Sequence, residues 1–221
     1  MSSWPWESKA AVDARFYAEH LTAFTVTRSD KSSGPGFSVT SLFGGSNAAE
    51  LQVRTTRVGN HGLRSLLLHG AGSQVPLLGV EESRFGIAGE RRWEAFRGGD
   101  MAGTDRLFVA VDKTRFLQMG NTVHVFLDGN SSAGRVPDFV VQASYFWGEV
   151  TVSRGADDGD IIAQIRNESW WWASLAGKNW YTVTIKPGVD QAFLLALTVI
   201  LDQMHSPRPD EAFSKNSTSQ S

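Results

Sequence analysis

PGVDQAFLLALTVILDQMH, residues 187–205, is the stretch that decides the fold. A helix on a protein surface keeps one polar face. Here Phe193, Leu194, Leu197, Ile200 and Leu201 fill one side while Leu195 and Val199 fill the other, so the helix has to be enclosed. Asp190 stands just past Pro187 and Gly188, where its carboxylate can accept orphan amide hydrogens of a first turn, and Ser206-Pro207 ends the segment. The apolar run Ala192 to Leu201 rises only about 15 Å, half the thickness of a hydrocarbon layer, and lies between Asp190 and Asp202. A core helix over 190–204 is expected, and no transmembrane span.

Upstream, the chain reads as strands, the only available enclosure. Twelve short runs show period-two alternation or β-branched and aromatic enrichment, from AFTVT at 23–27 to WYTVTIK at 180–186. GPG at 34–36, GAGS at 70–73, DGN at 128–130 and DDGD at 157–160 punctuate them with turn chemistry. Barrels of about eleven strands are wide enough to hold a helix. The expectation is a mainly β fold: a closed β-barrel of about twelve strands around a hydrophobic C-terminal α-helix. Residues 1–20 form a lead-in, 21–205 the barrel domain, and 206–221 a polar tail whose composition predicts disorder.

The totals exclude more than they assign. A net charge of -2 gives no global pull toward nucleic acid or anionic lipid. The absence of cysteine rules out disulfides and thiolate sites, and fits a reducing compartment. The start MSSWPWESKAAVDARF lacks the basic and apolar parts of a secretory signal. His20, His61, His69, His124 and His205 are dispersed without metal-ligand spacing, and GAGSQVPLLG from Gly70 lacks the lysine of a phosphate-binding loop. GADDGDI, 155–161, runs straight into a strand and reads as a hairpin turn rather than a Ca²⁺ loop. No nucleophile, base and orienting group can be named together, so no catalytic residue, metal or cofactor is expected.

Several blocks carry a family likeness: RWEAFRG at 92–98, KTRFLQMGNTVHVFL at 113–127, DFVVQASYFWGEVTV at 138–152, DIIAQI at 160–165 and, most specifically, YTVTIKPGVDQAFLLALTVILDQM at 181–204. From Phe24 to Met204 the chain resembles the plant LURP-one-related proteins, of the wider group that includes the tubby carboxy-terminal domain and the phospholipid scramblases. The resemblance implies a twelve-stranded barrel around a hydrophobic helix and no catalytic residues. It further implies an association with plant defence or stress, and phosphoinositide binding by analogy with tubby domains. Two departures stand against inherited lipid binding. VVQAS after Phe139 lacks the basic residues often seen there, and Trp170 to Trp172 is an unusual triplet.

Two candidate surfaces follow. Arg91, Arg92 and Arg97 lie in one strand and Lys113 with Arg115 opens the next block, so their cations could converge on an anionic head group. Trp170, Trp171 and Trp172 cannot share one face of a strand, so some indole surface needs a second partner: the lead-in, another protein or a membrane interface. The function expected is a non-enzymatic binding or scaffold protein with an unidentified protein partner. The alternatives are a peripheral phosphoinositide-binding protein and a scramblase-like lipid-translocating protein. The expected location is the cytoplasm, with the plasma-membrane periphery and the nucleus as further places.

Overall fold

A computed structural model describes residues 11–31, 34–42, 52–57, 64–70, 73–83, 91–101, 104–114, 120–129, 136–144, 148–155, 159–167 and 180–205. It is mainly β with one C-terminal helix. The strands are β1 (Thr22–Lys31), β2 (Gly34–Ser41), β3 (Gln52–Arg57), β4 (Arg64–His69), β5 (Pro76–Ser83), β6 (Arg92–Arg97) and β7 (Arg106–Asp112). They continue with β8 (Gly120–Leu127), β9 (Phe139–Ser144), β10 (Glu149–Arg154), β11 (Ile161–Asn167) and β12 (Trp180–Ile185), followed by α1 (Gln191–His205). Each strand pairs antiparallel with its sequence neighbours, and β1 also pairs with β12, Thr22 opposite Ile185, so the meander returns on itself as a barrel.

The alternation that marks the strands also decides what faces inward. Phe24 and Val26 of β1, Leu66 and Leu68 of β4, Leu78 and Val80 of β5, and Val183 and Ile185 of β12 are buried against α1. Every residue from Val189 to Met204 is buried. Phe193 meets Phe108 edge-on with ring centroids 5.1 Å apart and leans on Phe139 at 4.9 Å, an arrangement favoured by the ring quadrupoles. Fifteen residues of helix rise about 22 Å, matching the height of strands six to eight residues long. The chain turns from β12 into the helix at Gly188, whose φ of +76° is a conformation that L side chains resist.

Because β12 climbs to this turn and α1 descends from it, the barrel has two distinct ends. The upper rim, at the helix N-terminus, carries the start of β1 and the ends of β2, β4 and β6. The lower rim lies at the helix C-terminus. Asp190 is the helix cap, its Oδ1 accepting from the Phe193 amide at 3.1 Å.

The lead-in is part of the barrel's packing. Ala11, Val12, Phe16 and Ala18 are buried in the same core as α1, joined by a single 3-10 turn, Ala14–Phe16. Asp190 Oδ2 accepts from the amides of Val12 at 2.7 Å and Asp13 at 3.1 Å, while Gly188 N donates to Ala18 O at 2.7 Å and Ala18 N to Val189 O at 2.9 Å. The segment therefore stoppers the upper mouth. The tail 206–221 and residues 1–10 lie outside the described residues.

Candidate functional site

The cation patch has to be placed on the two rims. Arg91 and Arg97 bracket β6, and six residues at about 3.3 Å each put them some 20 Å apart, one at each rim. Arg97 Nη1 donates to the Val12 carbonyl at 2.9 Å, so it holds the stopper of the upper mouth. Arg91 Nη1 donates to the Met204 carbonyl, capping the helix C-terminus, where a cation also meets the negative end of the helix dipole. Lys113 follows β7 at the lower rim, tied there by the Asp112 amide bonding to Arg91 O and its own amide to Thr122 O at 2.8 Å.

Arg92 points outward, where Glu94 of its own strand and Glu81 of β5 stand side by side, Glu81 pairing across the strands with Glu94. Burial first, and then the Glu94 charge, push the Glu81 carboxyl above its ordinary range. Arg92 at 2.6 Å and Arg106 at 3.5 Å answer Glu94 from either side. The expected convergence is thus corrected for the four described cations: Arg91 and Lys113 share the lower rim, Arg97 is at the other end, and Arg92 is bound to Glu94. The reason is that one strand spans the whole height of the barrel. Arg115 and the triplet Trp170 to Trp172 lie outside the described residues, as do Asp157 and Asp158 of the acidic turn.

What the lower rim does assemble is a polar layer inside the barrel mouth. Arg28 lies on the inward face of β1 with Phe24 and Val26, and its Nη1 reaches Asp202 Oδ2 of α1 at 3.3 Å. The Tyr181 hydroxyl donates to Asp202 Oδ1 at 2.5 Å, and Gln203 Nε2 donates to Asp202 Oδ2 at 3.0 Å. Burial chiefly, and then the Asp202 carboxylate, hold the Tyr181 phenol far above its usual range. On the same rim, Arg64 Nε bonds to the buried Glu82 at 3.3 Å and lays its guanidinium 5.5 Å from the Trp93 ring centroid. Buried carboxylates persist when paired in this way. The layer clamps the helix C-terminus as Asp190 clamps its N-terminus.

Sequence reasoning missed Arg28, Arg64, Glu82, Tyr181 and Asp202 as a group. Parity would have found them, since Arg64 falls in step with Leu66 and Leu68, and Glu82 with Leu78 and Val80.

Comparison with known proteins now bears on this architecture. The model of the LURP-one-related family matches residues 22–202, from β1 to the Asp202 clamp. The chain belongs to the LURP-one-related family. Among its relatives, Protein LURP-one-related 15 of Arabidopsis thaliana is 30% identical over 209 residues, 94% of this chain and 90% of the relative. Protein LURP-one-related 10 of the same plant is 29% identical over 130 residues, 59% of this chain and 65% of the relative. Protein LURP1 is 31% identical over 110 residues, 50% of this chain and 52% of the relative. No solved structure matches the chain. The LURP-one-related model begins at residue 22, after the stopper segment, yet the stopper packs into the same core as the residues it covers.

Proposed function

We propose that this LURP-one-related protein is a non-enzymatic binding or scaffold module, acting in the cytoplasm in a plant defence or stress response. The observation that carries the reading is the filled lumen. Val189 to Met204 occupy the barrel axis in full burial, and the cavity lined by Leu66, Leu68, Leu78, Val80, Ala196 and Val199 has about 10 Å³ of room, that of one water. Arg28, Arg91 and Asp190 are engaged in holding the helix at its two ends, which favours recognition on the outer surface. The test is affinity purification of the tagged full chain from plant tissue, followed by reconstitution with each co-eluting protein. A partner that binds the purified chain stoichiometrically supports the reading, and turnover of a substrate by the chain alone overturns it.

A second reading, peripheral binding to phosphoinositide head groups, is favoured by the meeting of Arg91 and Lys113 at the lower rim. Lys113→Ala tests it, because that change spares the Arg91 cap. Vesicle co-sedimentation that rises with phosphoinositide content and falls in Lys113→Ala supports it, and sedimentation indifferent to both rejects it. Lipid translocation like that of the scramblases would require α1 to leave the barrel. Among the described residues no helix is long and apolar enough to cross a membrane.

A further inference from the structure

The segment that stoppers the upper mouth is built as a unit of its own. Its turn is held from within: Phe16 N bonds to Asp13 O at 3.0 Å, and the Asp13 carboxylate accepts from Arg15 N at 2.9 Å and from the Arg15 guanidinium at 2.8 Å. Its attachment to the barrel uses other groups. Val12 and Asp13 give their amides to Asp190, Arg97 donates to the Val12 carbonyl, and Ala18 donates to Val189 O and accepts from Gly188 N. Tyr17 forms an isolated antiparallel bridge with Asp190. Ala11, Val12, Phe16 and Ala18 are buried, whereas Ala14 and Arg15 face solvent.

This is how a bound peptide is held. Main-chain bonds give attachment that many sequences can make, and apolar side chains at fixed spacing, here Val12 and Phe16, give selection.

The barrel closes without the segment. The ring is sealed by β1 against β12, Thr22 opposite Ile185, and α1 keeps its cap because Asp190 Oδ1 bonds to Phe193 rather than to the stopper. Between the stopper and β1 stand Glu19, His20 and Leu21, all exposed. Swinging out on that link breaks the bonds of the seat and leaves the strand ladder intact, and local openings of this kind lie below global unfolding in free energy. The vacated mouth presents a carboxylate that takes two amides, a guanidinium that takes one carbonyl, and the core that Val12 and Phe16 had covered.

We propose that the upper mouth is a docking site for a linear segment of a partner protein, and that residues 11–18 are its resident occupant, which the partner displaces. The partner segment has the chemistry of AVDARFYA: a β-branched residue, an aspartate after it to turn the chain, and an aromatic residue four positions beyond the first. This rests on the reading of the chain as a binding module, and adds to the outer surface a site that is open only when the stopper is out.

The probe is a fluorescent, acetylated peptide of residues 11–20, AVDARFYAEH, titrated into the full chain and into the full chain carrying Val12→Ser with Phe16→Ser, which loosens the resident segment. A tethered occupant competes at roughly millimolar effective concentration, so the peptide is expected to bind the changed chain at least about tenfold more tightly than the wild type. Adding Arg97→Ala, which removes the bond to the peptide's second carbonyl, should weaken that binding severalfold. Equal affinity for the two chains, equal binding of a scrambled peptide, or no binding to a changed chain that still unfolds cooperatively on heating overturns the proposal. Hydrogen exchange of the unaltered full chain is the second measurement, and it decides the matter if the changed chain does not fold. The Val12, Asp13 and Ala18 amides should exchange by local opening, at rates insensitive to low denaturant and faster than the amides of the β1–β12 seam. Exchange of both sets at one rate, rising together with denaturant, means that the stopper leaves only when the barrel unfolds, and overturns the proposal. A purified partner that binds the full chain without competition from the peptide also overturns it, while leaving the binding-module reading standing.

Discussion

At the scale of single residues, Asp190 does two jobs with one carboxylate. Oδ1 caps α1 through Phe193 N, and Oδ2 takes the Val12 and Asp13 amides of the stopper. Burial raises its pKa, and the amides of Val12, Phe193, Asp13 and Ala192 pull the other way. With the raised direction prevailing, the folded chain holds this proton more tightly than the unfolded chain. Its contribution to stability is therefore fully present below the ordinary carboxylate range and is lost as pH rises through the raised value. Asp190→Ala removes the cap and orphans buried amides, and should cost about 2–4 kcal/mol in urea unfolding. Exchange of the Val12 and Asp13 amides with deuterium should quicken at least tenfold. Tyr181 gives a pH signature of the same sign in the alkaline range. Its phenol stays protonated in the fold where the unfolded chain would ionise, so its contribution is intact below about pH 10 and drains above it by about 1.4 kcal/mol per pH unit. Tyr181→Phe should lose about 1–2 kcal/mol at pH 8 and show a flatter decline between pH 10 and 11, read by chemical denaturation. Asp190 as a cap was legible from its place after Pro187-Gly188. Its bonds to the stopper were not, because they join groups 177 and 178 residues apart and local pattern carries no such information.

At the scale of elements, α1 is the piece whose composition leaves least freedom. A helix apolar on all sides has one stable place among strands, which is inside them, and Leu195 and Ile200 are accordingly at 0% exposure. Leu195→Ala should open a cavity costing about 2–5 kcal/mol, measured as a lower urea midpoint with unchanged slope. Strands such as β12 were legible by the same logic, since the alternation of WYTVTI survives in its burial, with Val183 and Ile185 buried and Thr182 and Thr184 half-buried. The stopper was not, because AVDARFYA at 11–18 is too short to show a period and its Arg15 looks solvent-bound, as it is. Removing residues 1–18 should lower the melting temperature by several degrees and quicken amide exchange in the first turn of α1, since Phe16, Val12 and the main-chain bonds at Gly188 and Val189 all go together. The spread of the cation patch over two rims has an element-level reason as well. Residues on one strand share a line rather than a spot, and Arg91 and Arg97 sit at opposite ends of it.

At the scale of the whole molecule, sheet and helix have no independent existence. The inner faces of the strands are covered by α1, and α1 is covered by the strands and, at its N-terminus, the stopper, so the loss of either sheet or helix exposes the core of both. Far-ultraviolet circular dichroism and tryptophan fluorescence should therefore give coincident denaturant transitions, the buried Trp93 reporting the same event as the backbone. The way the ring returns on itself adds a temporal constraint. β1 finds one of its two partners in β12, more than 150 residues later, and the rod that fills the lumen follows β12 in the chain. While the ribosome is still working, the first eleven strands have an open seam and an empty centre, with their oily faces turned to solvent. Such a chain completes its fold late and in one step, and until then it depends on whatever shelters nascent polypeptides from one another.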